Sequence, residues 1–514
     1  MAIAMTAATV QGQQTTGLVN ERVACEALIE MPNVTVTYAV LKPKTGNVPE
    51  YCYMRGSISG NIRFHLQLPV RSNWNGRLLV IGDGGQDGAL NYDNDHLAQG
   101  YAIANSNTGH DSGVEPENSF AYENLQAAID FSYRAVHLLA NASKTVVRSY
   151  YSQAARYAYF SGCSGGGKQA MMESQRFPED FDGILGGAPV FEYQTNGLTN
   201  VWMAQKVFVD NYAGDLIPAK LGILRDAVLA KCDANDGIRD KFLDDPRTCK
   251  FNPDVDLATR MCSADVNKND CFTKRQIQTI KDFYSGPYDS HGVRFTKGMA
   301  LGSEWGWQGY FRPSNIGEDH VSFMFYKESP GLPPSRIGTP TDRNATPPEF
   351  AWWDFNMDDY TAGKSEFMGK ITDATNPDLT RYLKRENGKL LLYHGWADQS
   401  RQPEPTVDYY DAMVKKTFAG NLEEAKEKAR LFMIPGMGHC RGGPGLAQWD
   451  GLPALVDWVE KGTAPESIAG EHRTNGVVDN RRPVCAYPKQ AVYSGPADGQ
   501  NNPANWIETN FVCR

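Results

Sequence analysis

Five residues around position 164 have the types and spacing of a serine nucleophile. The stretch GCSGG at 162–166 matches G-x-S-x-G, the pattern of a serine on a sharp turn between a strand and a helix. Strand-like residues Tyr157–Phe160 precede it, and a helix is predicted at about 168–176. We therefore predict that the Ser164 hydroxyl attacks a carbonyl carbon and that the Gly165 N–H stabilises the resulting oxyanion. A glycine-rich helix cap is the alternative interpretation.

A hydroxyl nucleophile needs a base, and in α/β-hydrolases an aspartate and then a histidine follow the serine along the chain. His439 follows the strand-like residues 430–434 (RLFMI), and Asp398 follows residues 389–393 (KLLLY). Each therefore stands just past the carboxyl end of a predicted strand. His394 is the competing base, but it precedes the aspartate and lies too close to its own strand. We predict that His439 is the general base and that Asp398 orients it.

A glycine-rich loop offers a second donor for the oxyanion. The loop GDGGQDG at 82–88 follows the strand-like residues Arg77–Ile81, and α/β-hydrolases complete their oxyanion hole from a loop of this kind. We predict that the backbone N–H of Gly84 or Gly85 acts together with that of Gly165.

The elements that must position these residues alternate between strand and helix in two parts of the chain. In residues 1–190 such segments alternate, with helical spacing at 125–139, which favours a parallel sheet with helices on both faces. In residues 191–376 the alternation is lost, and aromatics, prolines and four cysteines crowd the sequence. It resumes in residues 377–514. The predicted fold class is α/β, an α/β-hydrolase sheet interrupted by an inserted domain.

Length and composition exclude several classes of function. A chain of 514 residues is too long for one simple core, so two domains or one large insertion are expected. The net charge of −9 argues against nucleic acid as a partner, because phosphate binding needs a basic face. No run of 18 apolar residues occurs, so no membrane partner is predicted. Residues Met1–Gln14 fit either the remnant of a trimmed signal peptide or an artificial start of the chain.

The ten cysteines indicate disulfides rather than a zinc site. No CxxC pair and no zinc-finger spacing occur. An even number of cysteines favours an oxidising compartment, so a secreted or periplasmic protein is predicted. Cys163 and Cys440 flank the predicted nucleophile and base, and a disulfide between them would hold the two backbones at a fixed distance. Ten cysteines allow about 945 complete pairings, so two unrelated cysteines are the alternative.

Taken together, these residues resemble the tannase/feruloyl esterase family, whose members carry a Cys-Ser pair, a later Asp and a His-Cys pair. The pairs here are Cys163-Ser164, Asp398 and His439-Cys440. The similarity extends to GCSGGGKQAMMESQRFPEDFDGILGGAP (162–189), NGKLLLYHGWADQ (387–399), PGMGHC (435–440), TGHD (108–111) and the loop at 82–88. Bacterial mono-(2-hydroxyethyl) terephthalate hydrolases resemble this group as well. The resemblance implies an α/β-hydrolase with a lid domain that hydrolyses esters of aromatic acids.

The resemblance also implies a structural calcium ion in the lid. Residues 232–242 place three aspartates around a glycine, and oxygen-rich loops of this kind suit calcium, although the spacing is not that of an EF-hand. The implied ligands are the carboxylates of Asp233, Asp236 and Asp240 and the main-chain carbonyls of Ile238 and Phe242. From spacing alone, a solvated acidic turn is an equal alternative. No organic cofactor is implied.

The resemblance further implies that all ten cysteines pair, with one disulfide joining the two active-site cysteines. The implied pairs are Cys163–Cys440, Cys25–Cys52, Cys232–Cys249, Cys262–Cys271 and Cys485–Cys513. The short spacing within the last four pairs supports local pairing but does not prove it.

The predicted partner is a small aromatic ester, defined only as a class. Aromatic residues of the predicted lid suit a planar acid; they are Trp305, Trp307, Phe311, Trp352, Trp353 and Phe355. Three lid arginines could receive a free carboxylate of the substrate: Arg312, Arg336 and Arg343. Feruloyl, galloyl and terephthaloyl esters all stay open. A peptidase on this fold and a non-catalytic esterase-like binding protein are the other hypotheses, and the latter predicts a broken triad.

Overall fold

The computed structural model describes residues 20–31, 34–115, 117–208, 210, 212–309, 319–328 and 355–514. Residues Met1–Gln14, interpreted above either as a signal-peptide remnant or as an artificial start, lie outside these ranges.

Within the described residues, nine strands form the central sheet. They are β1 (Thr35–Lys42), β2 (Tyr51–Ile58), β3 (Ile62–Pro69), β4 (Arg77–Ile81), β5 (Ala102–Ser106), β6 (Tyr157–Cys163), β7 (Gly183–Gly187), β8 (Lys389–Gly395) and β9 (Ala429–Ile434). Their order across the sheet is β1-β2-β3-β5-β4-β6-β7-β8-β9. Strands β4 to β9 run parallel to their neighbours within that group. The carboxyl ends of these parallel strands therefore meet at one edge, where an α/β sheet places its ligands.

The first three strands depart from the predicted strand–helix alternation. Strands β1, β2 and β3 pair antiparallel, and β3 pairs antiparallel with β5. The physical reason is the length of the connections, because the three residues between β2 and β3 are too few for a helical crossover. The predicted parallel sheet therefore begins at β4.

Helices cover both faces of the sheet. Among the described residues, the longer helices are Ala135–Tyr151, Gly165–Arg176, Glu404–Thr417 and Leu452–Lys461 beside the sheet, and Tyr193–Phe208, Pro218–Cys232 and Lys274–Ser285 in the inserted segment. The shorter ones are Glu21–Glu26, Asn94–Ala98, Leu125–Ile129, Pro253–Asp256, Asp358–Thr361, Glu366–Thr372 and Leu422–Lys426. One apolar core joins the sheet to Ala135–Tyr151, Gly165–Arg176 and Glu404–Thr417. A second core joins the opposite face to Asn94–Ala98 and Leu452–Lys461.

Several predicted elements begin at the residue expected from sequence. The buried strand predicted at 77–81 is β4, and the strand-like residues 157–160 and 389–393 begin β6 and β8. The helical spacing at 125–139 belongs to a longer helical run that contains a π turn, Asp130–Arg134, and continues to Tyr151.

Residues between β7 and β8 form a separate apolar cluster. Its buried members include Trp202, Phe283 and Trp307, and the rings of Phe283 and Trp307 lie 5.4 Å apart. Two disulfides, Cys232–Cys249 and Cys262–Cys271, hold its loops. The inserted segment therefore packs largely on its own core.

The chain ends in two small sheets. One pairs β10 (Ser467–Thr474) with β11 (Val477–Cys485), and the other pairs β12 (Ala491–Tyr493) with β13 (Phe511–Cys513). Among the described residues, none of the helices combines the length and apolar character needed to cross a bilayer.

Candidate active site

Ser164 stands on a strained turn between β6 and the helix Gly165–Arg176. Its backbone has φ 63° and ψ −115°, a conformation that costs energy in a residue with a Cβ. The turn also requires glycine beside it, since a Cβ on Gly162 would lie 2.7 Å from the Gly166 backbone. The G-x-S-x-G spacing therefore reflects the space and the backbone conformation that this turn demands.

Tertiary contacts bring together the three residues predicted to act as one unit. His439 Nε2 lies 2.8 Å from Ser164 Oγ, and His439 Nδ1 lies 2.7 Å from Asp398 Oδ2. The backbone N–H of His439 donates to Gln399 Oε1 at 3.1 Å, which fixes the loop beside the imidazole. The contacts have the nucleophile–base–orienter order of serine hydrolases, so this arrangement suits proton transfer from the serine hydroxyl.

The Asp398 carboxylate is completely buried and still favours the ionised form. Its Oδ1 accepts from the backbone N–H of Ser400 and of Arg401, both at 2.8 Å, and from Ser400 Oγ at 3.1 Å. Burial raises the pKa of Asp398, but attraction to His439 and hydrogen bonds from His394 and His439 outweigh it and hold this pKa well below the ordinary value. The buried negative charge is therefore available to stabilise an imidazolium.

His394, the competing base in the sequence, contacts the aspartate instead of the serine. Its Nε2 lies 3.1 Å from Asp398 Oδ2, and its Nδ1 lies 2.8 Å from Thr406 Oγ1. The ring is buried, and burial lowers its pKa. The structure therefore places His439, and not His394, beside Ser164.

The predicted disulfide between the active-site cysteines is confirmed. Cys163 and Cys440 are bonded with their Cα atoms 5.9 Å apart, across a sequence separation of 277 residues. Cys440 has φ 64°, so strained backbone occurs at Ser164 itself and at the residue that follows His439. The other four implied disulfides, Cys25–Cys52, Cys232–Cys249, Cys262–Cys271 and Cys485–Cys513, are confirmed as well.

The loop at 82–88 packs directly against the nucleophile turn. A Cβ on Gly84 would lie 3.9 Å from Ser164 Cβ, and a Cβ on Gly165 would lie 2.8 Å from Gly85 O. The loop is anchored by Asp87, whose Oδ2 accepts from Gln169 Nε2 at 2.6 Å. Burial raises the pKa of Asp87 well above the ordinary value. Gly84 and Gly85 therefore both lie beside the turn that carries Ser164.

A cavity opens onto Ser164 between the sheet and the inserted segment. Its lining includes Gly85, Tyr193, His320 and Arg401. Burial lowers the pKa of His320 to about 3, so its imidazole is neutral in the protein. Sequence reasoning did not select Tyr193, His320 or Arg401, because each is brought to the site by packing and not by a motif.

The aromatic residues predicted for the lid differ in their burial and contacts. Trp307 and Phe355 are buried in the apolar cluster of the inserted segment. Trp305 is half-exposed, and its Nε1 donates to Ala397 O at 2.9 Å; a Cβ on Gly438 would lie 2.8 Å from its ring. Trp305 therefore touches the loops of both Asp398 and His439. The remaining candidates, Phe311, Trp352, Trp353, Arg312, Arg336 and Arg343, lie outside the described residues.

The acidic loop of the inserted segment packs around a buried arginine from β11. Arg482 Nη1 lies 3.1 Å from Asp236 Oδ2, and Arg482 Nη2 lies 3.4 Å from Asp240 Oδ2. Asp244 also pairs with Arg482. Burial raises the pKa of Asp233 to about 6 and that of Asp240 to about 8. Three buried carboxylates thus face one guanidinium, so the charge of this loop is only partly balanced.

The sheet order, the strained serine turn and the relay of hydrogen bonds define the class of this protein as an α/β-hydrolase. Its sequence matches the family described as "Tannase and feruloyl esterase" over residues 46–506. The chain therefore belongs to the tannase and feruloyl esterase family, whose members are carboxylic ester hydrolases. The hypothesis of a non-catalytic binding protein is wrong.

Individual relatives support this assignment. The chain is 30% identical to a mono(2-hydroxyethyl) terephthalate hydrolase of Piscinibacter sakaiensis, over 96% of this chain and 92% of that protein. It is 29% identical to a probable feruloyl esterase B-2 of Aspergillus terreus, over 91% of this chain and 92% of that protein.

Solved structures have the same fold. An esterase from Aspergillus oryzae superposes with a TM-score of 0.83 at 25% identity, covering 96% of this chain and all of that chain. Feruloyl esterase B from the same organism has a TM-score of 0.81 at 23% identity, again covering 96% of this chain and all of that one.

Proposed function

We propose that this protein hydrolyses esters of aromatic acids by acyl transfer through Ser164. The observation that carries the proposal is the continuous relay from Ser164 Oγ through His439 to Asp398, with contacts of 2.8 and 2.7 Å. The relatives named as feruloyl esterase and as terephthalate monoester hydrolase support an aromatic acyl group.

In the first step Ser164 becomes acylated. His439 Nε2 takes the hydroxyl proton as Ser164 Oγ attacks the ester carbonyl, and Asp398 stabilises the imidazolium that forms. The tetrahedral intermediate collapses, and His439 returns the proton to the leaving alkoxide, which departs as the alcohol. In the second step the same base activates a water molecule, which attacks the acyl-enzyme and releases the acid and free Ser164.

The oxyanion of both intermediates is stabilised by backbone N–H groups. Gly165 supplies one from the start of its helix, and Gly84 or Gly85 supplies the second. The close packing of the loop at 82–88 against Ser164 supports the assignment of Gly84 or Gly85. Such donors act strongly because they are aimed in advance at the charge that develops, and loss of one typically costs about 100- to 1,000-fold in rate.

The inserted segment, residues 191–376, acts as the lid in this proposal and covers the substrate cavity. Tyr193 and His320 belong to it and line that cavity, while Trp305 joins it to the triad loops. The location of the protein is proposed to be secreted or periplasmic, because five disulfides suit an oxidising compartment.

A panel of substrates tests the acyl specificity. We expect methyl esters of hydroxycinnamic acids to be hydrolysed with a kcat/KM at least about 100-fold above that of aliphatic methyl esters, because the relatives named as feruloyl esterase and as terephthalate monoester hydrolase support an aromatic acyl group. A terephthalate monoester is the second candidate, favoured by the 30% identical relative. Peptide anilides with aromatic residues serve as the control. Preferred cleavage of the peptides would contradict the proposal.

We further propose that the acidic loop binds a structural calcium ion. The ligands would be the carboxylates of Asp233, Asp236 and Asp240 with the carbonyls of Ile238 and Phe242. The loop fits such an ion because its donors are all oxygen, because Asp240 Oδ1 is buried without a hydrogen-bond partner, and because one arginine faces three carboxylates. The bound ion would supply positive charge that stabilises the lid, and it would take no part in the reaction at Ser164.

Chelation is expected to lower the melting temperature by a few degrees, because an ion that binds only the native state stabilises it. Asp236→Asn should lower the melting temperature and remove the response to chelator. Asp244→Asn is the matched control, since Asp244 pairs with Arg482 but is not in the proposed ligand set; it should keep the response. Differential scanning fluorimetry at constant ionic strength measures both. An unchanged melting temperature after chelation and calcium replacement would rule the site out.

A further inference from the structure

Asp398 contacts two histidines, and only one of them has a role in the proposed reaction. His394 lies four residues before Asp398, at the end of β8, and is as deeply buried as the aspartate. Its Nε2 reaches the same oxygen, Oδ2, that contacts His439 Nδ1. One carboxylate oxygen therefore holds two imidazoles at 3.1 and 2.7 Å.

The hydrogen-bond network determines which nitrogen of His394 carries the proton. Burial lowers the pKa of His394, so the ring is neutral and has one N–H. The ionised Asp398 can only accept, and its contact therefore requires the proton on Nε2. Nδ1 then has a lone pair, and Thr406 Oγ1, 2.8 Å away on the helix Glu404–Thr417, donates to it.

We propose that His394 is a positioning residue for hydrolysis, which holds Asp398 Oδ2 toward His439 through its Nε2–H while Thr406 fixes its tautomer. The proposal rests on the function proposed above, since it concerns the same Asp398. The three hydrogen bonds on Oδ1 hold one side of the carboxylate, and His394 restrains the other. These contacts keep Asp398 Oδ2 oriented so that it can accept the hydrogen bond from His439 Nδ1–H.

The hydrogen bond from His394 also stabilises the negative charge of the Asp398 carboxylate. A hydrogen bond donated by His394 stabilises the anion, and removal of that donor leaves Oδ2 more strongly attractive to a proton on His439. In the part of the chain that the structure describes, the titratable groups that act on His394 are Asp398 and His439. We therefore expect loss of the donor to move the acid limb of the pH profile of kcat/KM to higher pH. A residue that only fills space would not produce this shift.

Two amide replacements of His394 separate positioning from packing. A glutamine amide reaches about as far as Nε2, and an asparagine amide about as far as Nδ1, so His394→Gln keeps a donor for Asp398 and His394→Asn does not. For His394→Asn we expect kcat to fall about 10- to 100-fold with KM nearly unchanged, the size of one hydrogen bond to a charged group. The acid limb should move up by about half a pH unit or more. For His394→Gln we expect kcat and the position of the acid limb of the pH profile to stay close to those of the wild type.

Thr406→Val provides an independent test, because it leaves His394 and Asp398 in place and removes only the hydroxyl that donates to His394 Nδ1. We expect kcat to fall about 3- to 10-fold, the effect of one neutral hydrogen bond.

All rates are measured well below the melting temperature of each variant, and the fold is checked by circular dichroism. Equal losses in the Gln and Asn variants, or an unmoved acid limb in the Asn variant, would overturn the positioning role. Should the His394 variants not fold, wild-type kcat in Thr406→Val would overturn it. Retained activity in Ser164→Ala would instead overturn the proposed function, so the two failures are distinct.

Discussion

Ser164→Ala is expected to lower kcat for an aromatic ester by more than about 1,000-fold, because no other group on the relay forms the acyl-enzyme. His439→Ala should cause a loss of similar size, since the hydroxyl without its base is a weak nucleophile. The double variant should be little worse than either single one, as residues that act as one unit give non-additive losses. Steady-state kinetics and stopped-flow acylation measure these effects.

A buried serine on the helix that follows Ser164 provides the control for this experiment. Ser174 donates to Met171 O at 2.9 Å and lies near the far end of the helix Gly165–Arg176. Ser174→Ala should change kcat by less than about threefold while its melting temperature falls slightly. Strictly additive losses for Ser164→Ala and His439→Ala would contradict the shared relay. Retention of more than about a thousandth of the wild-type kcat in Ser164→Ala would exclude it as the nucleophile.

Removal of the Cys163–Cys440 bridge, by alanine at both positions, is expected to lower kcat about 10- to 100-fold with a smaller change in KM. The bridge ties the residue before Ser164 to the residue after His439. A displacement of about 1 Å between these loops would lengthen the 2.8 Å contact that transfers the proton, and misplacement of that size can cost about 100-fold in rate.

The effect on activity must be separated from the effect on stability. In the chain-entropy model a loop of 277 residues is worth about 5–6 kcal/mol and one of 27 residues about 3–4 kcal/mol. Removal of the Cys25–Cys52 bridge is therefore the matched control, since it destabilises the fold far along the chain from Ser164. Both variants should melt earlier, but only the active-site variant should lose kcat well below its melting temperature. Near-wild-type turnover there would show that the bridge serves stability alone.

The sequence was most informative where short-range geometry dictates residue type. The turn at Ser164 admits little except glycine beside it, so its motif is visible in five residues. Asp398 and His439 could be selected because each follows a strand-like run of apolar residues, and strand ends mark the active edge of such a sheet. The first three strands were not assigned correctly, because alternation alone does not distinguish a hairpin from a strand–helix crossover.

The sequence by itself determined the family and predicted the nucleophile, its base and the orienting aspartate, because these depend on local backbone requirements and on motifs in a set order. Only the tertiary structure decided that His394 binds the aspartate rather than the serine, and that Tyr193, His320 and Arg401 line the cavity. The cavity contacts join residues tens to hundreds of positions apart, and His394, only four residues from Asp398, is excluded as the base because His439 occupies the position beside Ser164. The geometry of these contacts follows from how helices and loops pack on the whole sheet, and no local pattern of residues records it.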